Sequence, residues 1–244
     1  MKENKKEKLT IILLVIALFL LIFFSEEFEA LLNLVFSSKN ASSRTPLFTY
    51  FLEHIWMVFL SSIIAIFIGV ILGIFVTTSY GAEFKELLLK VSSFGQSFPS
   101  PALLALTVPI LGYGIEGALI ALVVYALMPI IYNVVIGIEE VPENVIDAAK
   151  GMGMTEFELY KNVKIPLALN VILGGIRTAL VINISAATLT AAIGAGGLGV
   201  LVVNGVRTFD MVMIIQGSIP VTLLAIIVDL TLKQIRFYYS DLSA

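Results

Sequence analysis

A run of glycines at Gly194, Gly196, Gly197 and Gly199 is the stretch of this sequence that most resembles a cofactor-binding motif. Its G-x-G-x-x-G spacing is that of dinucleotide-binding loops, in which backbone N–H groups at a helix N-terminus hold a pyrophosphate. That chemistry requires a preceding β-strand in a βαβ unit, whereas an apolar helical stretch precedes these glycines. The sequence therefore argues against nucleotide binding, and we expect the glycines to break a membrane helix near its outer end and to form a gate or turn.

Metal and thiol chemistry have almost no candidate residues. The 244-residue chain has no cysteine, which excludes disulfides, iron–sulfur clusters and thiol catalysis, and it has one histidine, His54. No second metal-type ligand beyond Glu53 stands near His54 in the sequence, and Trp56 follows it. We interpret His54 as an anchor at the membrane interface, and we expect no catalytic residue and no metal site.

Charged and polar side chains are scarce in the apolar stretches. Arg177 is the only charge in its stretch, where it either faces a water-filled cavity or extends toward the cytoplasmic surface. A structural or gating role is favoured, because a cationic substrate would be repelled there. Asn183 and Thr188 follow and can bond across helices or line a pathway. A secondary transporter needs intramembrane acids, and only Asp229 near a helix end and Glu116 in a turn are available.

Composition identifies the class of protein that must position these residues. Hydrophobic residues make up 59% of the chain and charged residues 14%, and the mean hydropathy is +1.01, far from the composition of soluble proteins. The net charge of −3 points to no nucleic acid. We predict an all-α polytopic membrane protein with about six transmembrane helices, at residues 9–24, 52–76, 98–111, about 118–138, 167–193 and 211–232.

The amino-terminal segment has the profile of an uncleaved first span. Four lysines precede the apolar run 9–24, as they also do in signal peptides, but Ser25-Glu26-Glu27-Phe28 offers no small-residue cleavage pattern. Residues 26–49 are polar in patches and are predicted to be an external loop. We accordingly divide the chain into an N-terminal helix with its loop, 1–47, and a transmembrane domain, 48–244.

The third span is interrupted by prolines at Pro99, Pro101 and Pro109. Broken helices at membrane depth are tolerated where they line a cavity or are covered by protein, so Pro99 and Pro101 are candidate residues of a pathway wall. A kinked helix with only a packing role is the alternative.

The distribution of basic residues predicts the orientation. With six spans and the amino terminus inside, eleven basic residues lie on the cytoplasmic side and three lie outside, as the positive-inside rule requires. This orientation places the polar segment 139–166, between the fourth and fifth spans, in the cytoplasm; we call it the polar cassette. The inside set is Lys2, Lys5, Lys6, Lys8, Lys85, Lys90, Lys150, Lys161, Lys164, Lys233 and Arg236, and the outside set is Lys39, Arg44 and Arg207.

The polar cassette has the signals of a helix, a turn and a second helix. Pro142 suits the first position of a helix, and the glycines of 151–153 end that helix because glycine adopts the left-handed conformation readily. Thr155 and Glu158 then have the spacing of a capping box, which predicts a second short helix that ends before Pro166.

The cassette resembles a known family motif. Asp147-Ala148-Ala149, three residues to Gly153, and nine more to Val163-Lys164-Ile165-Pro166 resemble the EAA loop of ABC importer membrane subunits, EAA-x3-G-x9-I-x-L-P, with Asp for Glu and with Val and Ile for Ile and Leu. In that family the loop is a cytoplasmic coupling helix in a groove of the ATPase subunit. An amphipathic helix on the membrane surface is the alternative. The resemblance implies a coupling role for Asp147, Ala148, Ala149, Gly151, Gly153, Thr155, Glu158 and Pro166.

From about Leu52 to its end, the chain resembles the permease subunit of osmoprotectant importers, which carry glycine betaine, choline or carnitine. The matching stretches are GIEEVP at 137–142, AAKGMGMT at 148–155, GIRTA at 175–179, IGAGGLG at 193–199 and IPV at 219–221. The resemblance implies the type I ABC importer fold in a bacterial cytoplasmic membrane, with both termini cytoplasmic. The first span and the apolar stretch after the glycine run depart from the family pattern.

The family resemblance also implies partners. Two permease subunits, identical or related, would pair in the lipid bilayer, with ABC ATPase subunits below and a substrate-binding protein above. The binding protein is expected to be separate, because the chain stops twelve residues after its last span. The chain lacks G-x-x-x-x-G-K-[ST], so we expect it to bind no cofactor itself. The resemblance implies a transport subunit that is not an enzyme, with ATP and Mg bound and hydrolysed on the separate ATPase subunit. An importer of another solute such as an amino acid, a secondary transporter and a non-transporting scaffold are the alternatives.

Overall fold

The computed structural model describes residues 2–36 and 45–242 and is almost entirely helical over these ranges, which contain no β-strand. The all-α fold predicted from the sequence is therefore confirmed. The α-helices are α1 Lys2–Phe23, α2 Ser25–Phe36, α3 Leu47–Thr77, α4 Ala82–Ser97, α5 Ser100–Leu111, α6 Ile115–Glu139, α7 Glu143–Gly151, α8 Glu156–Leu159, α9 Ile165–Leu189, α10 Gly199–Thr208 and α11 Met211–Leu242. A π-helical turn, Tyr160–Lys164, precedes α9, and a 3-10 turn, Thr190–Ile193, follows it.

Four helices of the described chain are long and apolar enough to cross a membrane. They are α3, α6, the continuous helix Glu156–Ile193 and α11 over Met211–Tyr238. Two bent pairs reach the same length together, α1 with α2 at 85° and α4 with α5 at 105°, which gives up to six spans. α5 has 12 residues and is about 18 Å long, too short for a hydrocarbon core of about 30 Å. The predicted third span is thus a broken one.

The N-terminal region differs from its prediction. Residues 26–36 were expected to be part of an external loop, but Ser25–Phe36 forms a helix. Apolar residues at Phe28, Leu31, Leu32 and Val35 recur at helical spacing, and Leu32 is buried. The rest of that predicted loop, with Lys39 and Arg44, falls largely on 37–44, outside the described residues.

The core is a bundle of α3, α6 and α9, which approach closely at small residues. A Cβ on Gly69 of α3 would lie 2.8 Å from the Ile130 side chain of α6, and one on Gly73 would lie 2.6 Å from Val134. Glycine at these positions lets the two helices pack in lipid, where apolar burial supplies little driving force. α3 and α6 therefore form a fixed frame on which the other helices pack.

α1 lies antiparallel to α11, and polar contacts join both α1 and α2 to α11. Lys233 donates to the Glu7 carboxylate over 2.7 Å, and the Gln216 amide donates to Glu29 of α2 over 3.2 Å. α11 extends to Leu242, ten residues beyond the span end expected at Leu232. The start of α1 and the end of α11 consequently lie on the same side of the bundle.

Candidate functional site

The first half of the polar cassette is a short helix with a glycine stop. The Pro142 carbonyl accepts hydrogen bonds from the N–H groups of Val145 and Ile146, at 3.0 and 3.3 Å, and α7 follows. Pro142 therefore caps the helix, one position before the first helical position predicted for it. Gly153 has φ +82°, the left-handed conformation expected of a helix stop. The predicted helix and turn are confirmed.

The second half begins with the predicted capping box. The Glu158 N–H donates to Thr155 Oγ1 over 3.3 Å, and the Thr155 N–H donates to the Glu158 carboxylate over 2.9 Å. The prediction that this helix ends before Pro166 is wrong, because it continues through the π-helical turn into α9. In that turn the Ile165 N–H donates to the Tyr160 carbonyl, five residues back, and this wider turn accommodates a proline that lacks an N–H.

The cassette presents most of its motif residues to solvent. Asp147, Ala148, Gly151, Gly153, Thr155 and Glu158 are exposed, whereas Ala149 is buried. The apolar side chains of Met152 and Phe157 are 72% and 74% exposed. A Cβ on Gly151 or Gly153 would meet no atom within 4 Å. This combination of exposed apolar groups and bare backbone is suited to close contact with another protein.

Polar contacts tie the base of the cassette to the transmembrane helices. The Tyr160 hydroxyl donates to the Thr77 carbonyl at the end of α3 over 2.5 Å, and Lys85 of α4 forms an ion pair with Glu139 at the end of α6. The Ser79 hydroxyl also lies 3.4 Å from the Glu156 carboxylate. These contacts join the cassette to α3 and α4, and the cassette is continuous with α9.

The glycine run forms a tight turn between α9 and α10. Gly194, Gly196 and Gly197 have φ of +79°, +89° and +76°, so the predicted helix break is confirmed. A Cβ on Gly199 would lie 1.9 Å from the Thr188 carbonyl oxygen, which explains why the fourth glycine is needed. In the described chain the turn follows a helix, α9 with its 3-10 turn, and no strand precedes it.

Other helices hold this glycine turn in place. The Glu53 carboxylate of α3 accepts the Gly197 N–H over 2.8 Å, and the Gly114 N–H, before α6, donates to the Ile193 carbonyl over 2.8 Å. The turn is therefore a junction of three parts of the bundle. A role as a gate stays a prediction.

Arg177 and Asp229 form an ion pair that the sequence did not indicate. Arg177 Nε and Nη2 donate to the two carboxylate oxygens over 2.6 and 2.7 Å, joining α9 to α11. Both side chains are about one-third exposed. A bidentate pair of this kind is geometrically specific, which agrees with the structural role favoured for Arg177.

Asn183 belongs to a buried polar cluster between α9 and α3. Its amide donates to the hydroxyls of Ser61 and Ser62 over 2.8 and 2.9 Å, and its side chain is fully buried. Asn183 thus bonds across helices, one of the two roles predicted for it, while Thr188 is half-buried.

The expectation that His54 acts as an anchor at the membrane interface is wrong, because its side chain packs inside the protein. Its side chain is fully buried, and Nε2 lies 3.2 Å from the Ile184 carbonyl. Trp56 is 57% exposed. The two residues lie on opposite faces of α3 because successive helical residues are about 100° apart.

Pro99 and Pro101 mark the break between α4 and α5. Pro99 has an extended backbone and caps α5, while Pro101 occupies the start of that helix, where a missing N–H costs nothing. Pro109 lies inside α5. The prolines therefore cause the 105° bend; the pathway wall proposed for them stays a prediction.

Comparison with known proteins gives a family match over most of the chain. Residues 65–237 match the model of the family described as binding-protein-dependent transport system inner membrane component. The carnitine transport permease protein OpuCB of Listeria monocytogenes is 44% identical over 150 residues, which cover 62% of this chain and 69% of that protein. The glycine betaine/carnitine/choline permease protein OpuCB of Bacillus subtilis is 44% identical over 137 residues, covering 56% of this chain and 63% of that protein. The matched residues thus span about two-thirds of the length of each of these relatives.

Solved structures of other proteins have a similar fold. The inward-facing MetNI methionine ABC transporter superposes with a TM-score of 0.71 at 22% identity, over 79% of this chain and 95% of that chain. An amino acid ABC transporter with histidines gives a TM-score of 0.62 at 16% identity, over 79% of this chain and 92% of that one. At these identities the likeness establishes the fold alone, which is that of ABC importer permeases.

Proposed function

Because the chain belongs to the family of inner membrane components of binding-protein-dependent transport systems, we propose that it is the permease of an ATP-driven importer of trimethylammonium solutes. The family makes it a multi-pass transport subunit and not itself an enzyme. Glycine betaine, carnitine and choline, named in its relatives, all carry a trimethylammonium group. We therefore propose that the transporter recognises the trimethylammonium head group that these solutes share, and we do not assign one solute among them.

The observation that carries the proposal is the exposed cassette with its anchored base. Its apolar side chains Met152 and Phe157 face solvent, and the glycine backbone beside them is open. An ATPase subunit is the proposed occupant, with α7 lying in its groove. ATP with Mg would bind that subunit, and closure of the ATPases would move the cassette and, through Tyr160 and Thr77, the end of α3.

The remaining partners and the orientation follow the same scheme. An extracytoplasmic binding protein delivers the solute to the side of the glycine turn, and a second permease subunit, identical or related, completes the pathway. We place both termini in the cytoplasm of a bacterial cell. The pairing of Glu7 with Lys233 supports a common side for the two chain ends, and the basic residues support the inner side.

Reconstitution tests the proposal. The chain is placed in proteoliposomes with its ATPase and binding protein, and uptake is measured for glycine betaine, carnitine, choline and methionine together with ATP hydrolysis. We expect ATP-dependent uptake of a trimethylammonium solute that survives membrane depolarisation. Uptake of methionine but of no trimethylammonium solute would refute the proposed substrate class. Uptake driven by an ion gradient without ATP would refute the proposed ATP-driven mechanism.

A glycine pair provides a matched test of the cassette. Gly153 and Gly112 have φ of +82° and +81°, and a Cβ on either would meet nothing within 4 Å. Leucine at each position imposes similar backbone strain, but only Gly153→Leu places bulk where the ATPase is proposed to dock. We expect Gly153→Leu to abolish uptake with normal membrane insertion and Gly112→Leu to retain it. Full uptake by Gly153→Leu with normal ATPase association would contradict the docking model.

A further inference from the structure

An aromatic cavity of about 200 Å³ lies in the corner where α4 turns into α5, against α6. Three rings line it: Phe94 at the end of α4, Phe98 at the bend and Tyr125 on α6. The Phe94 and Phe98 ring centroids are 6.2 Å apart, with the planes tilted by 49°. The other lining residues are apolar, and none is charged: Val91, Gly95, Leu103, Leu106, Val124 and Met128. We call this cavity the aromatic corner.

The shape of the corner follows from the sequence around the break. Phe98 is extended and precedes Pro99, so the chain cannot continue as a helix and turns by 105°. Gly95 brings α4 close to α6, since a Cβ there would lie 2.9 Å from the Met128 sulfur. The contacting Phe94 and Phe98 rings therefore lie on one side of a concave space that Tyr125 of α6 also lines.

We propose that the aromatic corner binds the trimethylammonium group of the transported solute. This inference rests on the proposed function and adds a solute site within the permease itself. Aromatic faces attract quaternary ammonium ions through their negative π-electron density. The corner is open to a ligand on one side, since the Phe94 side chain is 71% exposed. A quaternary nitrogen has no N–H to donate, so the trimethylammonium group needs no hydrogen-bond acceptor from the apolar residues that line the corner. The thioether of Met128 adds a polarisable wall.

The size of the corner suits a small head group. Pockets for drug-sized ligands have volumes of roughly 300–1,000 Å³, and this one is smaller. One solute head group fits that size, with the variable remainder of the solute outside the corner. A site of this kind accepts betaines, carnitine and choline alike, because only their common group enters it.

The position of the corner connects it to the glycine turn. α5 leads from the break toward that turn, and Leu104 of α5 packs in a buried cluster with Ile193. The Gly114 N–H, just after α5, donates to the Ile193 carbonyl over 2.8 Å. A solute held in the corner therefore lies next to a helix that touches the proposed gate.

A lipid acyl chain is the competing occupant of an apolar cavity, and charge separates the two. Choline and 3,3-dimethylbutan-1-ol have the same shape, but only choline is cationic. A cation–π site prefers choline, whereas a lipid site prefers the neutral alcohol.

Both probes are titrated against the permease–ATPase complex in nanodiscs, without the binding protein. The proteins compared are the wild type, Phe98→Leu, Tyr125→Leu and the control Phe67→Leu. Phe67 is 69% exposed on α3 and lies outside the corner.

We expect wild-type complex to bind choline more tightly than the alcohol, and Phe98→Leu or Tyr125→Leu to weaken choline binding about 5- to 30-fold. Phe67→Leu should change neither affinity. If the leucine variants fold poorly, stepwise fluorination of the phenylalanine ring at position 98 keeps its size and should lower choline affinity with each fluorine. Equal or tighter binding of the alcohol, or choline binding insensitive to both leucine variants and to fluorination, would overturn the site.

The experiments can refute the proposed function and the proposed solute site independently of each other. If the full reconstituted system takes up no trimethylammonium solute, the importer assignment is wrong whatever the corner binds. If uptake is present and the corner variants leave both uptake and binding unchanged, only the internal site is wrong.

Discussion

The ion pair between Arg177 and Asp229 offers a quantitative test of how the bundle is held together. Its two hydrogen bonds, of 2.6 and 2.7 Å, join α9 to α11 at the only charged residues of the predicted spans 167–193 and 211–232. Removal of one partner, in Arg177→Gln or Asp229→Asn, leaves the other charge without its bidentate partner. The double variant, Arg177→Gln with Asp229→Asn, has neutral amide side chains at both positions.

The expected size follows from the exposure of the pair. Loss of one partner of a fully buried pair costs about 3–5 kcal/mol of unfolding free energy. The side chains here are 28% and 34% exposed instead of fully buried, so we expect a smaller cost, about 1.5–3 kcal/mol for each single variant. The double variant should cost no more than either single one, because no unpaired charge remains.

A double-mutant cycle measures this coupling. The four proteins are unfolded by heat or denaturant in the same detergent, and the coupling energy is expected to be about 1.5–3 kcal/mol. Lys90 and Glu86 of α4 form the matched control, since they pair over 2.7 Å but are 73% and 80% exposed. Their cycle should give at most about 0.5 kcal/mol. Additive effects at Arg177 and Asp229, like those of the control, would refute the reasoning.

Three further substitutions test single contacts. Gly199→Ala puts a Cβ 1.9 Å from the Thr188 carbonyl oxygen, so we expect little folded protein in the membrane fraction, and a normal yield would contradict the turn. Thr155→Ala removes the capping contact to Glu158 and should cost about 1 kcal/mol, seen as faster amide hydrogen exchange in the cassette; unchanged exchange would argue against the cap. Asn183→Leu leaves two buried serine hydroxyls of α3 without their donor and should lower the unfolding free energy by about 1–3 kcal/mol in a thermal melt, whereas equal stability would show that the cluster contributes nothing.

Features set by neighbouring residues were predictable from the sequence. The capping box of Thr155 and Glu158 and the stop at Gly153 depend on residues a few positions apart, and both were predicted. The bend at Pro99 was also visible, because proline restricts the residue before it. The outcome at Pro166 was not, since the π-helical turn that absorbs this proline depends on how the whole cassette meets α9.

Features set by distant residues were not predictable. Arg177 and Asp229 are 52 positions apart, and neither span alone shows that their side chains meet. His54 is buried because α3 turns that face toward α9, which its neighbour Trp56 does not reveal. The aromatic corner combines Phe94 and Phe98 with Tyr125 across a helix break, and only the angle of that break brings them together.

The most direct test of the account is where the cassette lies and what it contacts. The chain has no native cysteine, so Met152→Cys and Phe157→Cys each create a single thiol on an exposed side chain of the cassette. We predict that a membrane-impermeant maleimide labels both only from the cytoplasmic side, that the ATPase subunit blocks the labelling, and that a short crosslinker joins both positions to that subunit. Labelling from the external side, or the absence of any crosslink in an actively transporting complex, would contradict the central claim.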